Sequence, residues 1–233
     1  MTRFNFNGRW SRDFGIYVSG EGTFNSPERD ITSYEIQGRN GNLLIDNGRF
    51  KNIQLTYPAF ITRNFQHYSE QARQWLTSPS GYCILFDDYH PYEFRKARFA
   101  GPLSFSPLFM NRSATFELTF DCKPQRFLFK DNDGLSFDGN DTLLNTTEFD
   151  ALPLIRVYGN GNGMVTIGDT TFTLTGIIEY IDIDSELQDA FKGLLNENAK
   201  MNGEFPKLSP GQNAVSFSGG ITNIRIWPRW WIL

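Results

Sequence analysis

Several short runs carry residue types that could do chemistry. Asp131-Asn132-Asp133-Gly134 alternates carboxylates with a glycine, as loops that wrap a calcium ion do. The glycine comes too early, Leu135 follows it, and no bidentate glutamate stands at the required distance, so a solvated turn is expected. Gly159-Asn160-Gly161-Asn162-Gly163 follows a strand-like run, as a dinucleotide loop would. Met164 takes the place of its last glycine, and Val165-Thr166-Ile167 continues where a helix N-terminus should cradle pyrophosphate. A hairpin turn is expected there. His67 and His90 are the only histidines, and the sequence has no His-Glu-x-x-His, Cys-x-x-Cys, Gly-x-Ser-x-Gly or Gly-Lys-Ser/Thr. The carboxylate pairs Asp87 with Asp88 and Asp182 with Asp184 have the chemistry of glycoside hydrolysis but no defined flanking site, and surface or turn roles are expected for them. Trp227, Trp230 and Trp231 could stack on sugar rings; capping a sandwich or sitting at an interface is the expected use. No catalytic, cofactor-binding or metal-ligating residue is assigned.

Composition narrows the class. Of 233 residues 15% are aromatic, including 22 Phe, and 21% are charged, a balance that favours an aromatic-rich β protein over a helical bundle or a disordered chain. The net charge of −4 argues against a free-standing nucleic-acid binder. No run approaches the roughly 20 apolar residues of a membrane helix, and folding in a cytoplasm is expected. Cys83 and Cys122 are then free thiols, and the sequons at Asn111 and Asn145 go unused.

The elements that must position these residues are mostly strands. Ile53, Leu55, Tyr57 and Ala59 alternate with polar residues, as do Phe116, Leu118 and Phe120, so each set shares one face. Short strands are also expected at residues 2–6, 31–37, 82–86, 92–99, 154–158, 164–167, 171–174, 177–183, 214–217 and 221–227, broken by Gly, Asn and Asp. Phe65, Tyr68, Ala72, Trp75 and Leu76 form one helical stripe ending before Pro79. Ser185-Glu186-Leu187-Gln188 reads as a capping box for a second helix with Leu187, Phe191, Leu194 and Leu195 on one side. Residues 130–150 have linker composition, which puts a seam near Phe129. Pro210-Gly211 suits a type II turn whose Asn213 bonds its own backbone, and Pro228 ends a strand or marks a sheet margin.

The order and spacing of several motifs resemble the distal tail proteins of phages with long, non-contractile tails. They are Tyr34 through Gly38-Arg39-Asn40-Gly41-Asn42-Leu43 to Gly48-Arg49-Phe50, the strand 52–62, the helix ending in Trp75-Leu76, Gly81-Tyr82, Asp88-Tyr89-His90-Pro91, Arg95-Lys96-Ala97, Phe120-Asp121-Cys122-Lys123-Pro124, Ala151-Leu152-Pro153, and Phe205-Pro206-Lys207-Leu208-Ser209-Pro210-Gly211-Gln212-Asn213. The resemblance implies a mainly β chain. Residues 1–129 would be a ring-forming β-sandwich or split-barrel domain with one α-helix, and residues 130–233 a galectin-like β-sandwich. It implies a non-enzymatic hub at the distal tip of the virion tail, made in the host cytoplasm. The hub would form a hexameric ring, or two rings back to back, between the tail tube and the baseplate or adsorption apparatus. Implied partners are further copies, the major tail or tube protein, a tail-associated lysin or fibre-like protein, and a receptor-binding protein. DNA would only pass through the lumen. Ring closure needs two different patches that meet. Candidates are Arg39, Asn40, Arg49 and Phe50, the strands 52–62 and 94–99, and Trp230 with Trp231. A carbohydrate-binding or wall-degrading accessory protein is the alternative, and a tail-tube or baseplate component at another level is a third reading.

Overall fold

The computed structural model describes residues 2–20 and 25–233. The chain is mainly β and forms two compact units, one running through Arg126 and including Leu233, the other Phe127–Ile232. In the first lie β1 (Phe4–Phe6), β2 (Arg9–Trp10), β3 (Ile16–Val18), β4 (Arg29–Tyr34), β5 (Leu43–Phe50), β6 (Ile53–Ile61), α1 (Phe65–Thr77), β7 (Cys83–Asp87), β8 (Glu93–Phe99), β9 (Phe105–Leu108) and β10 (Ser113–Leu128, whose last two residues belong to the second unit).

Alternation builds this unit's sheet. Ile53, Leu55, Tyr57, Ala59 and Ile61 of β6 are buried, and Phe116, Leu118, Phe120 and Cys122 lie beside them on β10, paired from Ala114↔Ile61 to Cys122↔Ile53. The strand order is β2-β1-β7-β8-β10-β6-β3, with β9 added to β10. Thr2 bridges Val18, whose amide donates to the Thr2 carbonyl at 3.3 Å, so the two margins meet and the sheet closes into a barrel. Pairing bears on one expectation. β8 is flanked by β7 and β10, so the strand at 94–99 has no free edge among the described residues, whereas β3 pairs with β6 only from Ala59 to Ile61 and leaves the first half of the strand at 52–62 without a partner strand on that side.

The helix forms where the stripe places it. Ala72, Trp75 and Leu76 are buried while Phe65 and Tyr68 pack at the rim of the same cluster. Trp75 stacks on Phe14 with ring centroids 4.2 Å apart and on Phe4 at 5.7 Å, and its indole N–H donates to the Phe6 carbonyl at 3.1 Å.

The second unit holds β11 (Leu135–Phe137), β12 (Asp141–Asn145), β13 (Leu154–Ile167), β14 (Thr170–Asp184), β15 (Asp189–Lys192), β16 (Leu195–Asn196), β17 (Met201–Gly203), β18 (Gly211–Trp227) and β19 (Trp231–Ile232). The order is β11-β18-β13-β14-β15-β16, with β12 also on β18 and β17 on β14. Ile155 and Val157 from one half of β13 share a buried cluster with Val165 and Ile167 from its other half. Val215 and Ile224 do the same for β18, so the long strands wrap around one core.

Three expectations are corrected here. The glycine-rich run 159–163 is not a hairpin turn but the middle of β13, where the register with β14 shifts between Gly161 and Gly163 and that with β18 between Tyr158 and Gly163. Bulges let a strand bend without ending. Glycine is required there because the strands nearly touch. A Cβ on Gly220 would lie 1.9 Å from the Asn160 carbonyl oxygen, and one on Gly159 would lie 2.3 Å from that of Gly220. Gly220→Ala is expected to lower stability by about 1–3 kcal/mol or more, read by urea denaturation, because backbone rather than a yielding side chain stands in the way.

The second helix is absent. Residues 185–188 form a turn, Gln188 takes φ 54°, and β15 and β16 pair about Gly193 at φ 61°. Asp184 accepts from the amides of Glu186 and Leu187 at 2.9 and 3.2 Å, so the would-be capping box serves a turn instead. Residues 130–150 are not a linker either. β11 and β12 both pair with β18, and Phe137, Leu143 and Asn145 are buried.

The closing run behaves as its turn chemistry dictates. Gly211 adopts φ 93°, and Asn213, 2% exposed, accepts from the Ser209 amide at 2.9 Å and donates to the Ser209 and Gly211 carbonyls at 2.8 and 3.1 Å. β18 ends at Trp227, before Pro228.

Candidate interaction site

The most distinctive surface belongs to the residues between Arg29 and Phe50. Among the described residues β4 and β5 pair only with each other, forming a separate two-stranded ribbon. Such a ribbon is marginal by itself in water. Its register sets the faces. Ile31 opposes Asp46 and Ser33 opposes Leu44 on one side, while Thr32 opposes Ile45 and Tyr34 opposes Leu43 on the other. Tyr34, Leu43, Leu44 and Ile45 are 53%, 41%, 61% and 47% exposed, so both faces present apolar side chains to solvent. Ion pairs hold the end nearest the barrel strands. Arg29 reaches Asp46 at 2.6 Å, Arg49 reaches Asp30 at 2.7 Å and Lys51 reaches Glu28 at 3.0 Å. The Arg49 hydrogen bond holds the Asp30 carboxyl below its usual range, and the Gly48 amide followed by Arg29 does the same for Asp46.

Four of the six candidate contact residues lie here. Arg39 and Asn40 are exposed in the loop joining the two strands, Arg49 is committed to Asp30, and Phe50 receives the Arg29 guanidinium 4.7 Å from its ring centroid. The apolar residues that dominate the ribbon, Leu43, Leu44 and Ile45, were legible only as a run, since a ribbon exposed on both faces has no alternation to find.

The other two candidates are held differently. Trp230 is 1% exposed and its indole N–H donates to Asp131 at 3.0 Å; Trp231 stacks on Phe149 at 4.3 Å and donates to the Asp150 carbonyl at 2.9 Å. Trp230 therefore has no face to offer a neighbour. Asp131, expected in a solvated turn, is that indole's acceptor.

The four carboxylates with catalytic potential are all engaged. Asp87 is buried and accepts from Tyr57 Oη at 2.5 Å, from the Tyr89 and His90 amides at 3.0 and 2.9 Å, and meets His90 Nδ1 at 3.2 Å, whereas Asp88 pairs with Arg3 at the surface. Burial, then the charge of Asp87, pushes the Tyr57 phenol well above its ordinary value. Asp182 and Asp184 are not surface residues. Both are 4% exposed, each in a two-pronged pair, with Arg156 at 2.7 and 2.8 Å and with Arg229 at 2.8 and 2.8 Å. His67 is exposed on α1, Cys83 and Cys122 are free, and burial pushes the Cys122 thiol up to about 12. No group of three or more metal-ligating side chains gathers among the described residues. A groove of about 610 Å³ in the first unit is lined by Ser19, Pro58, Thr115, Glu117 and Thr119 among others, with one carboxylate and no histidine or cysteine.

Asp184 gives this unit an acid-sensitive joint. Burial opposes its ionisation, but the Arg229 hydrogen bonds and charge prevail and lower its pKa. A depressed carboxylate contributes stability above its unfolded value near pH ~3.9, and that contribution is lost as pH falls through the folded value. Asp184→Asn is expected to cost about 1.5–3 kcal/mol at neutral pH and to flatten the acid limb of stability against pH. Urea titrations of both proteins from neutral to acid check it; parallel curves would overturn it.

No protein-family model and no curated protein matches the sequence. Solved structures match its fold. The chain superposes on the SPP1 Dit (gp 19.1) protein, described as a paradigm of the hub adsorption apparatus in phages that infect Gram-positive bacteria, with a TM-score of 0.77 and 11% identity over 100% of both chains. Chains of the phage P2 baseplate in its activated conformation, one structure with calcium and one with strontium, match over 97% of both chains at a TM-score of 0.56, with 9% and 10% identity. The chain thus has the Dit fold from end to end.

Proposed function

We propose that the chain is a distal tail protein, a structural and non-enzymatic hub at the tip of a siphophage tail. Residues 1–129 form the ring domain, closing as a hexamer between the tail tube and the baseplate or adsorption apparatus. Residues 130–233 form a galectin-like sandwich that holds adsorption components. The observation that carries this reading is the end-to-end fold correspondence with the SPP1 hub protein, both units included. The ribbon supports it from physics, because apolar side chains on both faces of a two-stranded arm call for burial against something else. A neighbouring copy is the natural cover in a ring, where one patch of each subunit meets a different patch of the next.

Partners on this reading are the major tail or tube protein, a tail-associated lysin or fibre-like protein, and a receptor-binding protein, with DNA passing through the lumen. The acidic balance suits a lumen that must not hold DNA. The carbohydrate-binding alternative has less to stand on, since Trp230 is buried and Trp231 is covered by Phe149. Native mass spectrometry across a range of concentrations tests the proposal. A six- or twelvefold species is expected; a single chain at every concentration, with and without the tube protein, would overturn it.

A further inference from the structure

We infer that Asn40 is a site of spontaneous covalent modification, deamidation through a cyclic imide, and that the fold singles it out among its kind. The inference concerns the isolated chain and does not depend on the ring. Asparagine followed by glycine is the dipeptide best suited to this chemistry, because no side chain on the second residue hinders approach of its amide nitrogen. The sequence has such pairs at Asn7-Gly8, Asn40-Gly41, Asn47-Gly48, Asn160-Gly161, Asn162-Gly163 and Asn202-Gly203. In the reaction the Gly amide gives its proton to hydroxide and the nitrogen attacks Cγ of the preceding Asn. The bond from Cγ to the side-chain nitrogen breaks and ammonia leaves. Water then opens the five-membered imide at either carbonyl to give aspartate or isoaspartate. The attack requires rotation of the Asn backbone and side chain away from a strand-like geometry.

Five of the six pairs are held against that rotation. Asn7 and Gly8, at φ 52° and 77°, are the two residues of a tight hairpin turn closed by Phe6↔Arg9, and the Asn7 amide donates to the Ile84 carbonyl at 3.0 Å. At Asn47-Gly48 the required amide is occupied, since Gly48 N donates to Asp46 at 2.9 Å, while Asn47 donates to Thr32 at 3.1 Å. Asn160 and Asn162 lie inside β13, and their side-chain carbonyls accept from the amides of Glu179 at 3.2 Å and Gly176 at 2.9 Å. Asn202 and Gly203 lie in β17, paired with Thr173 and Phe172. Asn40-Gly41 differs on every count. It sits in the loop between β4 and β5, outside any ladder and exposed. Gly41 at φ 81° has open space around it, and neither the Asn40 carboxamide nor the Gly41 amide enters a hydrogen bond among the described residues.

The product places a carboxylate beside Arg39 at the end of the ribbon and adds one negative charge to a chain of net −4. Isoaspartate would also lengthen the loop backbone by one carbon. The ribbon therefore carries a clock whose ticks change its charge.

The test is peptide mapping by mass spectrometry after incubation in mildly alkaline buffer, at a dilution where native mass spectrometry finds single chains, with the urea-unfolded chain run in parallel. In the folded chain Asn40 is expected to convert at close to its unfolded rate and the other five at least about tenfold more slowly, a barrier difference of ~1.4 kcal/mol. Asn40→Gln should remove the leading product without affecting the rest. The inference is overturned if any other pair keeps pace with Asn40 in the folded chain, or if folding protects Asn40 as strongly as it does them.

Discussion

Leu44→Asp and Ile45→Asp are expected to leave the chain folded and, on the proposed function, to weaken assembly of the ring by about a hundredfold or more for whichever residue meets the neighbour. Each side chain is half exposed in the single chain and touches neither core, so the folded unit loses little by either change. In a ring the same side chains would be buried. Covering a Leu or Ile contributes about 1.5–3 kcal/mol, and a buried unpaired carboxylate adds a penalty of similar size or larger. Every 1.4 kcal/mol is tenfold in affinity. The two variants separate the faces, because neighbours along a strand point to opposite sides. If one face is covered by its own subunit's surroundings and the other by a neighbour, only one variant will dissociate the oligomer. Thermal unfolding and native mass spectrometry, read together, check this; loss of the fold in both would show that the ribbon is internal architecture and not a contact.

Trp75→Ala is expected to destabilise the first unit by about 3–5 kcal/mol. Three contributions coincide at this side chain. Its ring is stacked by Phe14 and Phe4, and by Phe6 edge-on at 6.1 Å. Its indole N–H donates to the carbonyl of Phe6, at the end of β1, and this tie between helix and strand would be lost. Finally, the residue joins α1 to the barrel, so the helix would lose its largest anchor. Far-ultraviolet and near-ultraviolet circular dichroism during urea unfolding measure the loss. Trp75→Phe should recover the packing but not the hydrogen bond and fall between the two. A change under about 1 kcal/mol would mean that the core re-packs around the gap.

The helix and the barrel strands were legible because their patterns are local and dense. Residues 65–76 place five apolar side chains on one helical stripe, and residues 53–61 alternate without a break. The misreadings share a cause. At residues 185–195 the spacing of Leu187, Phe191, Leu194 and Leu195 satisfies a helical stripe, but Leu187, Leu194 and Leu195 are 69%, 104% and 67% exposed on a hairpin. Spacing alone does not reveal that Asp184 accepts from the amides of Glu186 and Leu187. At 130–150 Phe137, Leu143, Asn145 and Thr147 are buried, too few to stand out from turn-like neighbours. Between Tyr158 and Met164 the glycines have the composition of a turn but mark a place where two strands nearly touch, a constraint that belongs to Gly219 and Gly220, some sixty residues away. The run from Arg39 to Phe50 stands out in the sequence, but the apolar exposure of its ribbon does not, because exposure on both faces is visible only once the ribbon is known to pair with no other described strand.

The bridge between Thr2 and Val18 has a mechanical consequence. A sheet with two free margins peels from either one, a bond at a time. In the closed barrel β1 is held by β7 along one side and by β2 and the Val18 bridge along the other, so a pull on the amino end must break ladders on both flanks together. Freeing that end therefore costs the Val18 bridge and the β2 pairs in addition to the β7 ladder.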